Sequence, residues 1–422
     1  MLLEQSVGES FMRILHVTHQ YLPAIGGSER YITDISEELV QRGHTVDVFT
    51  SQAINYQTWQ NVLPRHEVIG GVTVHRFHSF QRRTLTWKLL RFALNNYDFQ
   101  RLRPRLLEPL IFYGNGPCSP ALFQAIARNG AQYDLIHINQ LHYAHAYTAH
   151  LATRFCSVPI VTTPHLHMDQ PQTFAPRYMQ TVLKKSDAIF AVSAAEQRFI
   201  QAQGFNQEVV LAGNGLRMDR FPDYSTSDAR QALGLSQDAF VFLFLGRKTE
   251  YKGLETTLNA FNALQQVHSE IVLLAFGPET EYSTQLWAKL GKMPGVIRRG
   301  AVSDEERLAA LAACDVLVMP SSAEAFGIVF LEAWAYRKAV IAPRIDAVAS
   351  WIEDGVDGCL VAPGQVNELR QSMNQLYNDR SLVQALGMRG HHKLLARYTV
   401  AKITDIVEAT CIRVLRRHRS KE

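Results

Sequence analysis

The sequence predicts an α/β protein made of two Rossmann-like, doubly wound domains that face a central cleft. Three observations carry this expectation. Short apolar runs of strand length alternate with amphipathic stretches, the pattern restarts at Phe240, and Gly213, Gly215 and Pro222 punctuate the chain between the two series. In the first series, residues 13–18 read as a strand running into a glycine loop, after which Ser28 is expected to cap a helix with Ile32, Ile35 and Leu39 on one face. Strands at 45–50, 135–138, 160–163 and 188–192 follow, separated by helical stretches as the crossovers of a parallel sheet require. The second series places strands at 241–245, 271–276, 296–298, 316–319 and 339–342. The expected domains are 12–215 and 216–400, with 401–422 as a terminal helix. Ligands of such folds bind beyond the carboxyl ends of the strands, so two facing sheets create one cleft.

Composition fits this organisation. A chain of 422 residues, 47% hydrophobic and 19% charged, can bury two ordinary cores, and it contains no internal repeat or low-complexity stretch. Its five cysteines, Cys118, Cys156, Cys314, Cys359 and Cys411, are scattered without close pairs, which suggests neither a disulfide framework nor a zinc knuckle. A reducing, cytoplasmic setting is expected. Residues 1–11 carry acids and no sustained apolar run, Met12 is a second candidate start, and no run of 18 apolar residues occurs. With a net charge of +4, no nucleic-acid partner is expected.

Chemistry concentrates at residues 322–335, where Glu324 and Glu332 stand eight positions apart around an apolar run. A helix opening near Phe326 would offer the N–H groups of Phe326, Gly327, Ile328 and Val329, together with a positive dipole end, to a diphosphate. Eight helical residues rise roughly 12 Å, close to the distance from a donor sugar across a diphosphate to a ribose. Each carboxylate can accept two hydroxyl hydrogen bonds. Upstream, Gly26-Gly27 after the first strand lets the backbone approach an anion, although no G-x-G-x-x-G spacing is present.

The 322–335 window resembles the Glu-x7-Glu motif of retaining, nucleotide-sugar-dependent glycosyltransferases of the GT-B fold, family 4. Other blocks follow in that family's order: Pro23-Ala24-Ile25-Gly26-Gly27-Ser28-Glu29, Val161-Thr162-Thr163-Pro164-His165, Asn214-Gly215, and the run from Gly246 to Gly253 with Arg247 and Lys252. The resemblance implies a hexosyl transfer from a nucleoside-diphosphate sugar to a hydroxyl acceptor, with retention at the anomeric carbon. It implies that Arg247 and Lys252 bind the diphosphate and stabilise its departure, Glu324 binds sugar hydroxyls, Glu332 binds the ribose, and His165 contacts the sugar from the opposite domain. No cofactor or metal is expected, since charge is handled by side chains and a helix end. The last helix is expected to cross back onto the first domain.

Two other readings stay open. His165-Leu166-His167-Met168-Asp169 is similar to half of the metal site of metallo-β-lactamase-like hydrolases, in which zinc activates water. The chain would also fit a catalytically silent sugar-nucleotide-binding protein. His137 reads as a weaker strand-end contact, and His142 and His145 as neighbours on one helix face. The chain departs from the family at Leu216-Arg217, where a hydrophobic-Asp pair is usual, and at 346–350, which lack the usual glycine pair. Basic, apolar stretches at 82–92 and 413–419 suggest a weak peripheral contact with the inner membrane face, or simply solvated helix faces.

Overall fold

The computed structural model describes residues 11–24, 26–82, 84–96, 107–166, 174 and 176–420. Among these, the first lobe holds an eight-stranded sheet: β1 Arg13–Thr18, β2 Thr45–Ser51, β3 His66–Ile69, β4 Val72–Phe77, β5 Leu135–Asn139, β6 Ile160–Thr163, β7 Ala188–Ala191 and β8 Glu208–Leu211. Their order in space is β3-β4-β2-β1-β5-β6-β7-β8, and only the β3–β4 pair is antiparallel. The second lobe holds β9 Phe240–Leu245, β10 Ile271–Phe276, β11 Val296–Arg299, β12 Val316–Val318, β13 Ala339–Pro343 and β14 Cys359–Val361. These run parallel in the order β11-β10-β9-β12-β13-β14. The fold class is the one the sequence predicts.

Strands covered by helices on both faces read as unbroken apolar runs, which is why Phe240–Leu245 is buried along its whole length. The hairpin of β3 and β4 and the edge strands β8 and β14 have no such signature. β3 is largely exposed and β14 has three residues.

Each sheet reverses its strand order once, between β1 and β5 in the first lobe and between β9 and β12 in the second. At these points successive crossovers leave in opposite directions and open a crevice at the carboxyl ends. The carboxyl ends of β1 and β5 carry His19 and Asn139; those of β9 and β12 lead into Arg247 and Ser321.

The chain crosses between lobes twice, and the crossings are hydrogen-bonded: Leu216 N donates to Tyr398 O at 2.8 Å and Val400 N to Leu216 O at 3.1 Å. The helix Val400–Arg419 then lies against the first lobe, where Ile403, Val407, Cys411, Val414 and Leu415 join a core with Met12, Ile32, Ile35 and Leu39. Each large side chain so buried contributes on the order of 1.5–3 kcal/mol. Two basic residues of this helix are engaged too, Arg413 and Arg417 pairing with Glu208 at 2.8 and 2.6 Å. No helix among the described residues is long and apolar enough to cross a membrane.

One local expectation fails. Gly26, not Ser28, is the N-cap of the helix Gly27–Gln41; Ser28 lies inside it and donates to Glu29 at 3.0 Å.

Candidate active site

In the second lobe the β9 carboxyl end leads through Gly246 to a short turn, Glu250–Lys252, closed by Gly253 at φ 77°. A Cβ at Gly253 would stand 2.6 Å from Pro320 O, so only glycine lets this turn settle on the segment that follows β12. That approach brings Lys252 Nζ to 2.5 Å from Glu324 Oε1, which also accepts from Ser321 Oγ at 2.9 Å. Glu324 is buried and Lys252 nearly so, giving a carboxylate and an ammonium fixed against each other at the strand ends. Arg247 behaves differently: its exposed guanidinium crosses to the first lobe, donates to the Tyr56 hydroxyl and lies 5.3 Å from the centre of that ring.

The helix after Glu324 starts later than expected. Gly327 adopts left-handed φ 89°, ψ 58° as N-cap, and the helix spans Ile328–Ala335. Glu324 through Phe326 are therefore loop, and Ile328 and Val329 begin the first turn, whose N–H groups lack an i−4 carbonyl partner within the helix. Phe326 is buried. Its ring stacks on Trp351 at 4.4 Å, and its carbonyl accepts from Trp351 Nε1 at 3.1 Å. Glu332, one turn into the helix, is half-buried and sits 2.9 Å from Arg307.

The first lobe faces this array with polar groups that are mostly buried. Gly26 is extended and a Cβ there would strike Glu29, whereas a Cβ on Gly27 would meet no atom within 4 Å. Glu29 is buried beside His19, 2.9 Å from its Nε2. Burial alone would raise its carboxyl, but the His19 contact and the hydrogen bonds around it bring the value down to about 2. His19 in turn stacks on Tyr143 at 4.2 Å.

His165 follows β6 in a left-handed conformation, φ 54°, which a residue with a side chain adopts at a cost. Instead of projecting into open cleft, its ring is 4% exposed, edge-on to Tyr31 at 5.0 Å, with Nε2 2.8 Å from Asn139 Oδ1. His137 is corrected more fully. It lies within β5, its Nε2 is 2.8 Å from Thr163 Oγ1, and burial drops its pKa to about 3. His142 precedes the helix Ala144–Ala152 that carries His145, so the two share no helix face; burial and nearby His19 bring His145 to about 3. His167 and Asp169 lie outside the described residues. Among the described residues, no group of three or more His, Cys, Asp or Glu side chains could hold a metal ion.

Several groups at the strand ends were not foreseen. Lys248, fully buried, donates to Glu279 at 2.5 Å and to Arg299 O at 2.7 Å, and Arg298 donates to Glu279 at 2.8 Å. Although what burial Glu279 has opposes it, these donors and Ser283 lower its carboxyl to about 2. Position after Gly277-Pro278 was the available signal for Glu279; Tyr56, in an irregular loop, offered none. The unusual Arg217 also finds its reason, donating to Glu37 and Gln41 at 2.8 and 2.9 Å and so fastening the crossing segment to the first lobe.

Two doubly wound lobes with cations and a carboxylate at one switch point have the architecture of GT-B glycosyltransferases, and comparison with known proteins agrees. Residues 225–393 match the glycosyl transferases group 1 family and residues 26–215 match the glycosyl transferase 4-like domain. The chain is 26% identical over 391 residues to an uncharacterized glycosyltransferase of Methanocaldococcus jannaschii, covering 87% of this chain and 90% of that one. It is 26% identical to a D-inositol 3-phosphate glycosyltransferase of Geodermatophilus obscurus, covering 89% of this chain and 85% of that one. Among solved structures, Anabaena HepE in complex with UDP and glucose superposes with a TM-score of 0.71 at 22% identity, covering 94% of this chain and 99% of that one. Sucrose-phosphate synthase from Thermosynechococcus elongatus gives 0.73 at 20%, covering 96% and 99%. The second lobe is thus a glycosyl transferases group 1 domain and the first a glycosyl transferase 4-like domain, which makes the chain a glycosyltransferase.

Proposed function

We propose that this glycosyltransferase moves a hexosyl unit from a nucleoside-diphosphate sugar to a hydroxyl acceptor, with retention at the anomeric carbon. The observation that carries the reading is the Lys252–Glu324 pair at the β9/β12 switch point, a cation and a carboxylate fixed 2.5 Å apart. In this reading Lys252 and Arg247 hold the diphosphate and stabilise the charge that grows on it as the glycosidic bond breaks. The first turn at Gly327, Ile328 and Val329 adds backbone donors, Glu324 accepts from the sugar hydroxyls, and Glu332 accepts from the ribose. Gly26 and Gly27 are assigned to the phosphates on the first-lobe side, with the open space at Gly27, and His165 to the sugar, which it would meet by turning away from Asn139. Charge is assigned to side chains, so the scheme uses no metal. HepE was also solved with UDP-glucose, a donor of the proposed class.

A panel of nucleoside-diphosphate sugars, scored by released nucleoside diphosphate, tests activity and donor choice together. Release from none of them, with acceptor mixtures present, sinks the reading; an inverted product anomer by NMR sinks retention alone. A weak peripheral membrane contact would use the helix Thr84–Asn96, on which Leu85, Leu89 and Phe92 share one face and are 68, 39 and 56% exposed, with Lys88 at its edge. Co-sedimentation with anionic vesicles at low salt is expected, and its absence would remove the membrane from the scheme.

A further inference from the structure

The helix Asp304–Ala313 opens with a reciprocal cap, Ser303 with Glu306, and carries Arg307 at the next position. The Arg307 side chain is 17% exposed and held from three sides. Its Nε donates to Asp304 at 3.1 Å, its guanidinium carbon lies 5.9 Å from the centre of Phe221 in the inter-lobe segment, and Nη1 sits 2.9 Å from Glu332 Oε1. That last contact is an ion pair without hydrogen-bond alignment, since Nη1 has no aligned acceptor. The Glu332 lone pairs are thus left largely available to hydroxyl donors, while the carboxylate is held in place by charge.

A carboxylate close to a diphosphate needs such a partner. Without it, the like charges repel and the glutamate rotates away, so that it accepts fewer hydroxyl hydrogen bonds. We infer that Arg307 is a positioning residue for the donor's ribose, holding the Glu332 carboxylate aimed so that it accepts from the ribose hydroxyls beside the phosphates. The inference rests on the reading that Glu332 takes the ribose. Arg307 makes no contact with ligand in this scheme and acts through Glu332. A merely structural Arg307 would instead tie two helices together, with no bearing on which hydroxyls the ligand carries.

Calorimetry with UDP, GDP and ADP, and with the 2′,3′-dideoxy counterpart of whichever binds, separates these possibilities. For the wild type, removal of the hydroxyls is expected to weaken binding at least tenfold. Arg307→Gln is expected to lose about tenfold on the ribonucleotide and less than twofold on the dideoxy form, Arg307→Lys to recover part of the loss, and turnover to show a raised donor KM with kcat nearly kept. Equal losses on both nucleotides, or none on either, would overturn the role of Arg307. If Glu332→Gln binds the two nucleotides in the same ratio as the wild type, the ribose assignment itself fails and the inference with it. A wild type that binds none of the three nucleotides overturns the functional reading. Thermal melting of each variant identifies any that has lost its fold, and Arg307→Lys, which preserves the cation, carries the test if Arg307→Gln is one of them.

Discussion

The two lobes meet across one cleft but arm it in opposite ways. The second lobe brings ionised groups together at its switch point, Lys252 against Glu324 with Arg247 reaching outward to Tyr56. The first lobe brings aromatic rings and buried histidines, and the His19–Glu29 pair near its strand ends is sunk beneath the glycine loop. A carboxylate paired with a lysine that still reaches solvent can trade that partner for a ligand. One locked under a loop shapes the backbone instead. The difference assigns electrostatic work to the second lobe and shape to the first.

The largest expected effect tests this division. Glu324→Gln keeps the size and one acceptor but loses the charge next to Lys252, and kcat should fall about 10²- to 10³-fold, the range seen when a group aimed at developing charge or a reacting sugar is removed. Its melting temperature should stay within a few degrees, because Lys252 retains contact with solvent. His165→Ala, by contrast, removes a buried ring packed on Tyr31 and bonded to Asn139, and should lower stability by about 2 kcal/mol whatever it does to rate. Nucleoside diphosphate release and urea unfolding on the same pair of variants decide the matter. Loss of rate in Glu324→Gln that merely follows loss of fold would dissolve the comparison.

Next in size is the buried pair of the first lobe. Glu29 has a folded pKa of about 2, below the ordinary carboxylate value, so the folded state binds fewer protons than the unfolded state over the interval between them. The stabilisation is therefore present above the unfolded pKa and drains away as pH falls from about 5 toward the folded value. Relative to Glu29→Gln, the wild type should lose on the order of 2 kcal/mol between pH 5 and pH 3 in urea titrations. A gap between the two proteins that stays constant over that interval would show that Glu29 is not held ionised by His19.

Much of this frame was legible in the sequence because it rests on periodicity and on position relative to strands. Buried parallel strands such as β9 and β10 are continuous apolar runs, and Lys252 and Glu324 follow strands at points the topology draws together. What escaped was the direction of side chains. A histidine at a strand end reads the same whether it projects or folds under, and only the positive φ at His165 and the closeness of Asn139 decide for burial. Phe326 sits between Glu324 and Glu332, yet its ring belongs to Trp351, a partner 25 positions on. Tyr56 and Arg307 act through contacts made across the fold, and no local pattern announces them.

A smaller effect is expected at the connection between the lobes. Arg217 is nearly buried and shares Glu37 with Arg220, whose own bond to that carboxylate is 2.7 Å. Arg217→Ala leaves Glu37 one partner, so the loss should be moderate, about 1–2 kcal/mol, below the cost of stranding a buried charge altogether. It should appear as a separation of two unfolding transitions in calorimetry, because the contact joins the crossing segment to the first lobe. A single transition merely shifted downward would place these arginines inside one cooperative unit.

The smallest stability change should come from the glycine pair, where the two positions are expected to part company. A methyl group on Gly26 would stand 2.2 Å from Glu29 Oε2 and must displace the carboxylate that His19 holds, so Gly26→Ala should destabilise. A methyl group on Gly27 meets no protein atom within 4 Å, and the residue is the first of a helix, where alanine is favoured over glycine by up to roughly 1 kcal/mol. Gly27→Ala should therefore fold as well as the wild type or slightly better. If that open space is where the phosphates lie, the same variant should bind donor nucleotide at least tenfold more weakly, since the added carbon occupies the ligand's volume and not the protein's. Unchanged nucleotide affinity in a fully folded Gly27→Ala would move the diphosphate away from the first lobe and leave its shape-giving role without a ligand to shape.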